Sequence, residues 1–324
     1  MAIRPTLETW VLDALISARP GAGRGASHRA RAAAIAGTLA RLGVEAVARD
    51  APGYPSGWND LPDPPAAMFS RGRPLPEPAR AVAMVGSRAA TPYGLGIARR
   101  MAADLAGLGY TVVSGLARGI DAAAHRGALE AGGCTVAVLP SGIDRVTPSH
   151  HRALADAIAE RGTLVSERAF GGPRFRGEFV RRNRLIAALA GATVVVEAAE
   201  ASGALTTAEV GRTLGRAVLA VPGDVDRPAS RGTHGLIRAG AILCENTGHV
   251  IQAIEAWSGG RTDGAPRAPE HRLLAAVGAV AATVETIAGR AGLPVAATLA
   301  GLLALQWAGA VEPRPGQKWI RVRR

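Results

Sequence analysis

Six short runs of apolar and β-branched residues recur through the middle of the chain: Ala81–Val85, Thr111–Val113, Thr135–Leu139, Thr163–Val165, Thr193–Val196 and Val218–Val221. Each is near-continuous rather than alternating, the pattern of a strand covered on both faces. Helical stretches of ten or more residues lie between most of them. A strand–helix rhythm of this kind predicts an α/β fold with an open, doubly wound, mainly parallel sheet. Only 4% of the 324 residues are aromatic, so Ala, Val, Leu and Ile must fill the interior.

The flanks read differently. Residues 1–65 form a small N-terminal helical segment, with Ala-rich helices running into a Gly/Pro-rich stretch from Asp50 to Pro65. Its Gly21-Ala-Gly-Arg-Gly25 run is read as a loop, although its shape suits backbone-amide contact with phosphate. Residues 66–257 carry the sheet, and 258–269 form a polar linker. Residues 270–324 show three helical patterns (Glu270–Val277, Thr283–Ala291, Pro294–Ala308) and two strands (Ala310–Glu312, Trp319–Val322) joined by a Pro313–Gln317 turn. Three helices with a β-wing predict a winged-helix domain. Two separated cysteines, Cys134 and Cys244, give neither a disulfide framework nor a zinc pattern and fit a reducing cytoplasm. No apolar stretch reaches bilayer-spanning length and the N-terminus lacks a signal-peptide core, so a cytoplasmic protein without a membrane partner is expected.

In a doubly wound sheet, ligands bind beyond the carboxyl ends of the strands. Here those ends are rich in glycine and small hydroxyls: Gly86-Ser87-Arg88, Ser114–Asp121, Pro140-Ser141-Gly142, Glu197 followed by Ser202-Gly203-Ala204-Leu205-Thr206, and Pro222-Gly223. Glycine lets backbone amides converge and a helix N-terminus adds partial positive charge, so the edge is predicted to bind anions. A dinucleotide cofactor is not expected: the first turn is Gly-Ser-Arg rather than GxGxxG, and the second strand ends in Ser114 where an acidic residue would hold a ribose.

Net charge is +12, and Lys318 is the only lysine among 38 cations. That excludes a Walker A loop, a pyridoxal Schiff base and a kinase strand lysine. Arg174, Arg176, Arg181, Arg182 and Arg184 crowd eleven residues beside Phe175 and Phe179. Forked guanidinium groups suit phosphate, and aromatic planes suit unpaired bases. Catalytic candidates are sparse. Asp121 is read as ordering its loop and His125 as bonded within the helix layer. Asp144 and His150-His151 follow the third strand, and Glu197 is read as either a base or a structural anchor. No metal cluster, nucleophile elbow or catalytic triad is identifiable.

Several of these segments, in order and spacing, resemble the DNA-processing protein A (DprA, or Smf) family: Gly86-Ser-Arg, Ser114-Gly-Leu-Ala-Arg-Gly-Ile-Asp-Ala-Ala-Ala-His125, Arg182-Asn-Arg-Leu-Ile, Glu197-Ala, Ser202-Gly-Ala-Leu-Thr-Thr-Ala208, Val221-Pro-Gly and Gly232-Thr-His-Gly-Leu-Ile-Arg-Ala-Gly-Ala241. The likeness spans about residues 54–250, with the winged helix in outline. It implies an extended Rossmann-like domain that binds single-stranded DNA, forms a homodimer, and loads the RecA recombinase in natural transformation, with no catalysis and no cofactor. It further implies a DNA pocket lined by Gly86, Ser87, Arg88, Arg118, Arg174, Arg176, Phe179, Arg181, Arg182, Asn183, Arg184, Ser202, Gly203 and Thr206.

There are departures. Val180 stands where the family has proline before its Arg-Asn-Arg triplet, and Thr147-Pro148 stands where it has Tyr-Pro. The expected recognition helix, Val295–Ala308, holds no Lys or Arg, so the winged helix is read as an auxiliary contact or protein surface rather than a reader of base sequence. The competing reading is a nucleotide-processing enzyme of phosphoribohydrolase type on a related scaffold. Its Pro-Gly-Gly-x-Gly-Thr-x-x-Glu loop is missing between Glu197 and Thr206.

Overall fold

A computed structural model describes residues 35–49, 51–171, 175, 177–259, 273, 276–277, 281–307, 310–316 and 318–322. The Gly21–Gly25 run, Arg174, Arg176 and most of the Glu270–Val277 pattern lie outside the described residues. The chain divides into two compact units, the first ending at Ser258 and the second taking up at Gly259.

The first unit is built on a nine-stranded sheet: β1 (Glu45–Ala48), β2 (Ala67–Gly72), β3 (Ala81–Val85), β4 (Thr111–Ser114), β5 (Thr135–Val138), β6 (Thr163–Ser166), β7 (Ala192–Val195), β8 (Ala217–Ala220) and β9 (Ile242–Leu243), in spatial order β1-β2-β6-β5-β4-β3-β7-β8-β9. Strands β3 to β9 run parallel to one another, while β2 is antiparallel to both β1 and β6. All six strands expected from sequence are present, with ends shifted by a residue at most in either direction. Strands β1, β2 and β9 were not anticipated. Residues 35–41 are helical as expected, but Glu45–Ala48 pairs with Ala67–Ser70 instead of continuing the helical segment. Such short strands need a partner edge to exist, and β6 supplies it through β2.

The chain steps outward from β3 through β4, β5 and β6, then returns to lay β7 on the other side of β3. Strand order therefore reverses at β3, where a doubly wound sheet leaves a crevice. The seven helices of this unit that matter here are α1 (Pro92–Gly107), α2 (Ile120–Glu130), α3 (Arg152–Arg161), α4 (Gly177–Ala188), α5 (Ala204–Thr213), α6 (Arg231–Arg238) and α7 (Thr247–Gly259). Helix α1 starts where Thr91 caps it, accepting from the Gly94 amide, with Pro92 at the first turn. Small residues let α1 and α2 touch: a Cβ at Gly127 would lie 2.1 Å from the Arg99 carbonyl oxygen. Val82, Met84, Leu105, Val112, Ile120, Val194 and Leu219 fill the core on that side, and Phe69, Leu116, Leu139, Ile158 and Leu164 fill another.

In the second unit, α8 (Val284–Ala291) and α9 (Val295–Trp307) accompany a three-stranded sheet of β10 (Ala282–Thr283), β12 (Lys318–Arg321) and β11 (Val311–Arg314). Leu273, Val277, Ile287, Leu302, Val311 and Trp319 form its core. Pro313, expected in the turn, instead pairs with Trp319 inside β11. The strand lies at the sheet edge, where proline's missing N–H costs no ladder bond. Among the described residues no helix is long and apolar enough to cross a membrane.

Candidate nucleic-acid interface

A cleft of about 910 Å³ opens at the carboxyl end of β3. Its walls come from the β3–α1 turn (Gly86, Ser87, Arg88), the start of α2 with its preceding loop (Ala117, Asp121), one face of α4 (Phe179, Arg182, Asn183, Ile186), and the β7–α5 turn (Ser202, Gly203). Phe179, Arg182, Asn183 and Ile186 are spaced i, i+3, i+4, i+7 on one helix face, with Val180 beside them.

The turns around the cleft are tightly interlocked. The Ser87 amide donates to the Glu197 carbonyl at 2.7 Å, and the Ile120 amide donates to the Ser87 carbonyl at 3.2 Å. Gly119 has φ +77°, and a Cβ there would stand 2.2 Å from the Ser87 oxygen, so only glycine fits. Leu116, with φ +58°, is the one non-glycine residue in the left-handed region among the described residues. Buried contacts on all sides hold it, and its carbonyl accepts from His151 Nδ1 at 2.9 Å.

Arg88 is exposed, and its guanidinium carbon lies 5.0 Å from the centre of the half-buried Phe179 ring. This cation–aromatic pair joins the β3 turn to α4. Arg182 has a different position. It is 3% exposed and donates from Nη1 to the Gly115 carbonyl at 2.7 Å and to the Val138 carbonyl, at the ends of β4 and β5. Asn183 donates from Nδ2 to the Gly203 carbonyl and Thr206 Oγ1, each at 3.0 Å, tying α4 to the first turn of α5. Ser202 Oγ accepts from the Ala204 amide at 3.3 Å, and a Cβ at Gly203 would meet nothing within 4 Å, so the start of α5 is open.

Four described residues of the expected site do not line the cleft: Thr206, which bonds Asn183 beside it, and three arginines. Arg184 points to the other side of α4, donating from Nη2 to Glu167 Oε2 at 2.6 Å with Asp63 Oδ2 3.3 Å from its Nε. Arg181 is largely exposed, 3.7 Å from Glu167 Oε1. Arg118 is exposed on the β4–α2 turn and does not line the cleft. Conversely Asp121, Val180 and Ile186 line it although they were not assigned to it. Helical periodicity starting from Phe179 selects Ile186 and separates Arg182 from Arg184.

The carboxylates are occupied by framework contacts. Asp121 Oδ2 accepts from the Gly115 and Ala117 amides at 3.1 and 3.3 Å, so it orders its loop as expected. Burial pushes its carboxyl up, opposed by Arg182 and the two amides. Glu197 takes the Thr91 amide at 2.8 Å and the Thr91 hydroxyl, anchoring the start of α1. Asp144 accepts from the Gly171 amide. His125 Nδ1 bonds Thr135 Oγ1 at 2.7 Å, and since that hydroxyl donates to the Val112 carbonyl, the ring nitrogen is the donor. Burial, with Arg182 and His151 nearby, lowers His125 to about 3. Among the described residues no group of three or more His, Cys, Asp or Glu is placed to hold a metal.

Together the strand order and the cleft at its reversal define a Rossmann-like α/β protein whose opening is edged by a cation, an aromatic face and a helix N-terminus. Residues 45–255 match the DNA recombination-mediator protein A family, and residues 261–317 match the DprA winged helix domain. The chain belongs to the DNA recombination-mediator protein A family. It is 44% identical over 247 residues to the putative DNA processing protein DprA of Mycobacterium tuberculosis, a match covering 74% of this chain and 64% of that relative. It is 37% identical over 283 residues to protein Smf of Escherichia coli, covering 84% and 75%. Among solved structures, it superposes on DprA of Streptococcus pneumoniae with TM-score 0.61 and 31% identity, covering 75% of this chain and 86% of that one. DprA of Helicobacter pylori, solved for its single-stranded DNA binding mode, gives 0.57 and 26%, covering 66% and 96%.

Proposed function

We propose that this protein binds single-stranded DNA at the β3 cleft and acts as a recombination mediator on incoming strands in transformation, without catalysing a reaction. The observation that carries the reading is the Arg88–Phe179 pair beside the open start of α5. A phosphate is served there by a guanidinium and backbone amides, and a base by an aromatic plane. Gly86, Ser87, Arg88, Phe179, Ser202 and Gly203 are the proposed contact residues, with Asn183 and Thr206 holding the α5 start. Among the described residues, the carboxylates nearest the cleft, Asp121 and Glu197, are each engaged by backbone amides, which does not suit the general base that the nucleotide-processing alternative needs.

The further parts of the proposal follow from family membership and from the single-strand binding of the Helicobacter pylori relative: RecA as the protein loaded onto the strand, a homodimer formed through the Rossmann-like unit, and action in the cytoplasm. The winged-helix unit serves as an auxiliary contact. Its α9 helix carries no cation and exposes Val295, Leu299 and Leu303 instead.

Binding to oligothymidylate and to a matched duplex at two salt concentrations tests the reading. Preference for the single strand, weakening with salt, supports it; equal or stronger duplex binding, or release of base from nucleoside monophosphates, overturns it.

A further inference from the structure

Phe179 and Arg182 lie one turn apart on the same face of α4, and both line the cleft. Their surroundings are opposite. Phe179 is half-buried and meets an exposed arginine, whereas Arg182 is sunk beneath the floor with its Nη1 spent on two strand-end carbonyls. A Cβ at Gly115 would lie 2.3–2.5 Å from three atoms of the Arg182 guanidinium, so the β4 turn is moulded on that side chain.

The contacts form a closed circuit. Arg182 holds the Gly115 carbonyl, and Asp121 holds the Gly115 and Ala117 amides of the same turn. That turn ends at Gly119, packed on Ser87, and at Ile120, whose amide bonds the Ser87 carbonyl. Ser87 precedes Arg88, and Arg88 returns to Phe179 on α4. From this circuit we propose that Arg182 is a positioning residue of the cleft and not a phosphate ligand: it sets the β4 turn, the β4 turn sets Ser87, and Ser87 sets Arg88 against Phe179.

Two charge effects support this. Asp121 lies close enough to Arg182 to act as its counter-ion, while Arg88 repels it; burial and that repulsion outweigh Asp121 and lower Arg182 to about 10. Its Nη1 is committed to carbonyls that water cannot replace at such burial and its Nε to Asn183 Oδ1 at 3.3 Å, so turning the guanidinium onto a phosphate would break the contacts that hold the β4 turn.

The inference rests on the single-strand reading for one of its two tests and is independent of it in the other. In the free protein, Arg182→Gln and Gly115→Ala are compared with the parent by amide hydrogen exchange. Gly115→Ala displaces the guanidinium while leaving every charge in place, and Arg182→Lys serves if Arg182→Gln fails to fold. Loss of protection at the Ser87 and Ile120 amides, with α7 protection kept, is expected; unchanged protection at those amides overturns the proposal.

In the second test, oligothymidylate affinity is followed across a salt series. Gly115→Ala and Arg182→Gln are expected to weaken binding about tenfold or more while leaving the log–log salt slope at the parent value. Arg88→Ala makes that slope less negative by about 0.7, as loss of one single-strand phosphate contact requires. If Arg182→Gln shifts the slope as Arg88→Ala does, Arg182 touches phosphate and the inference is wrong. A parent that fails to bind oligothymidylate removes the function proposed for the cleft, and the exchange result then decides the positioning role alone.

Discussion

Arg184 Nη2 sits 2.6 Å from Glu167 Oε2, on a side of α4 turned about 140° from Phe179, the rotation that five residues of helix impose. Two arginines flanking one asparagine thus have separate tasks, Arg182 beneath the cleft and Arg184 in an ion pair behind it. Arg184→Gln should leave the salt slope of oligothymidylate binding unchanged and lower stability to urea by about 1–3 kcal/mol, because Glu167 loses its closest cation. A slope changed as much as by Arg88→Ala would put Arg184 on the DNA instead.

Phe179 offers a ring and no charge. Phe179→Ala is expected to weaken oligothymidylate binding by about 1–3 kcal/mol, with the salt slope held, and Phe179→Trp to restore it. Titration of a fluorescent oligonucleotide at several salt concentrations checks both. Equal affinity of the alanine variant and the parent would remove stacking from the interface.

Gly119 combines φ +77° with a Cβ position 2.2 Å from the Ser87 oxygen. Gly119→Ala therefore forces the β3 and β4 turns apart. An expected loss of about 2 kcal/mol or more in urea unfolding accompanies weaker DNA binding. A variant as stable as the parent would mean that the two turns are not locked together.

His125 gives the pH dependence a sign. Its folded value is about 3 against an ordinary value near 6.5, so the unfolded chain takes up the proton first on acidification. The stability it contributes is fully present above pH 6.5 and is lost as pH falls towards 3. Asp121, with its carboxyl pushed up by burial, acts in the opposite sense and offsets part of the loss. Between pH 6.5 and 4.5 the net fall is expected to be on the order of 2 kcal/mol in urea unfolding. His125→Gln should flatten that dependence; an unaltered pH profile would assign it to other groups.

The sequence by itself determined the parallel core of the sheet, because each buried strand is a continuous apolar run that needs no knowledge of its neighbours. It also determined the glycine-rich turns at the strand ends, since left-handed backbone and close approach leave few other residues, and it marked Arg88, Phe179, Ser202 and Gly203 through those turns and the arginine-rich stretch before β7. Only the tertiary structure decided that β1 and β2 exist, because strands of four and six residues without a strong pattern form where β6 offers an edge. It alone decided which arginines face the cleft. Spacing along α4 separates two faces of the helix, but a guanidinium takes its role from what it meets: carbonyls at Arg182, a carboxylate at Arg184, an aromatic ring at Arg88. Those partners lie 17 to 91 positions away along the chain, brought together only when the sheet closes around β3.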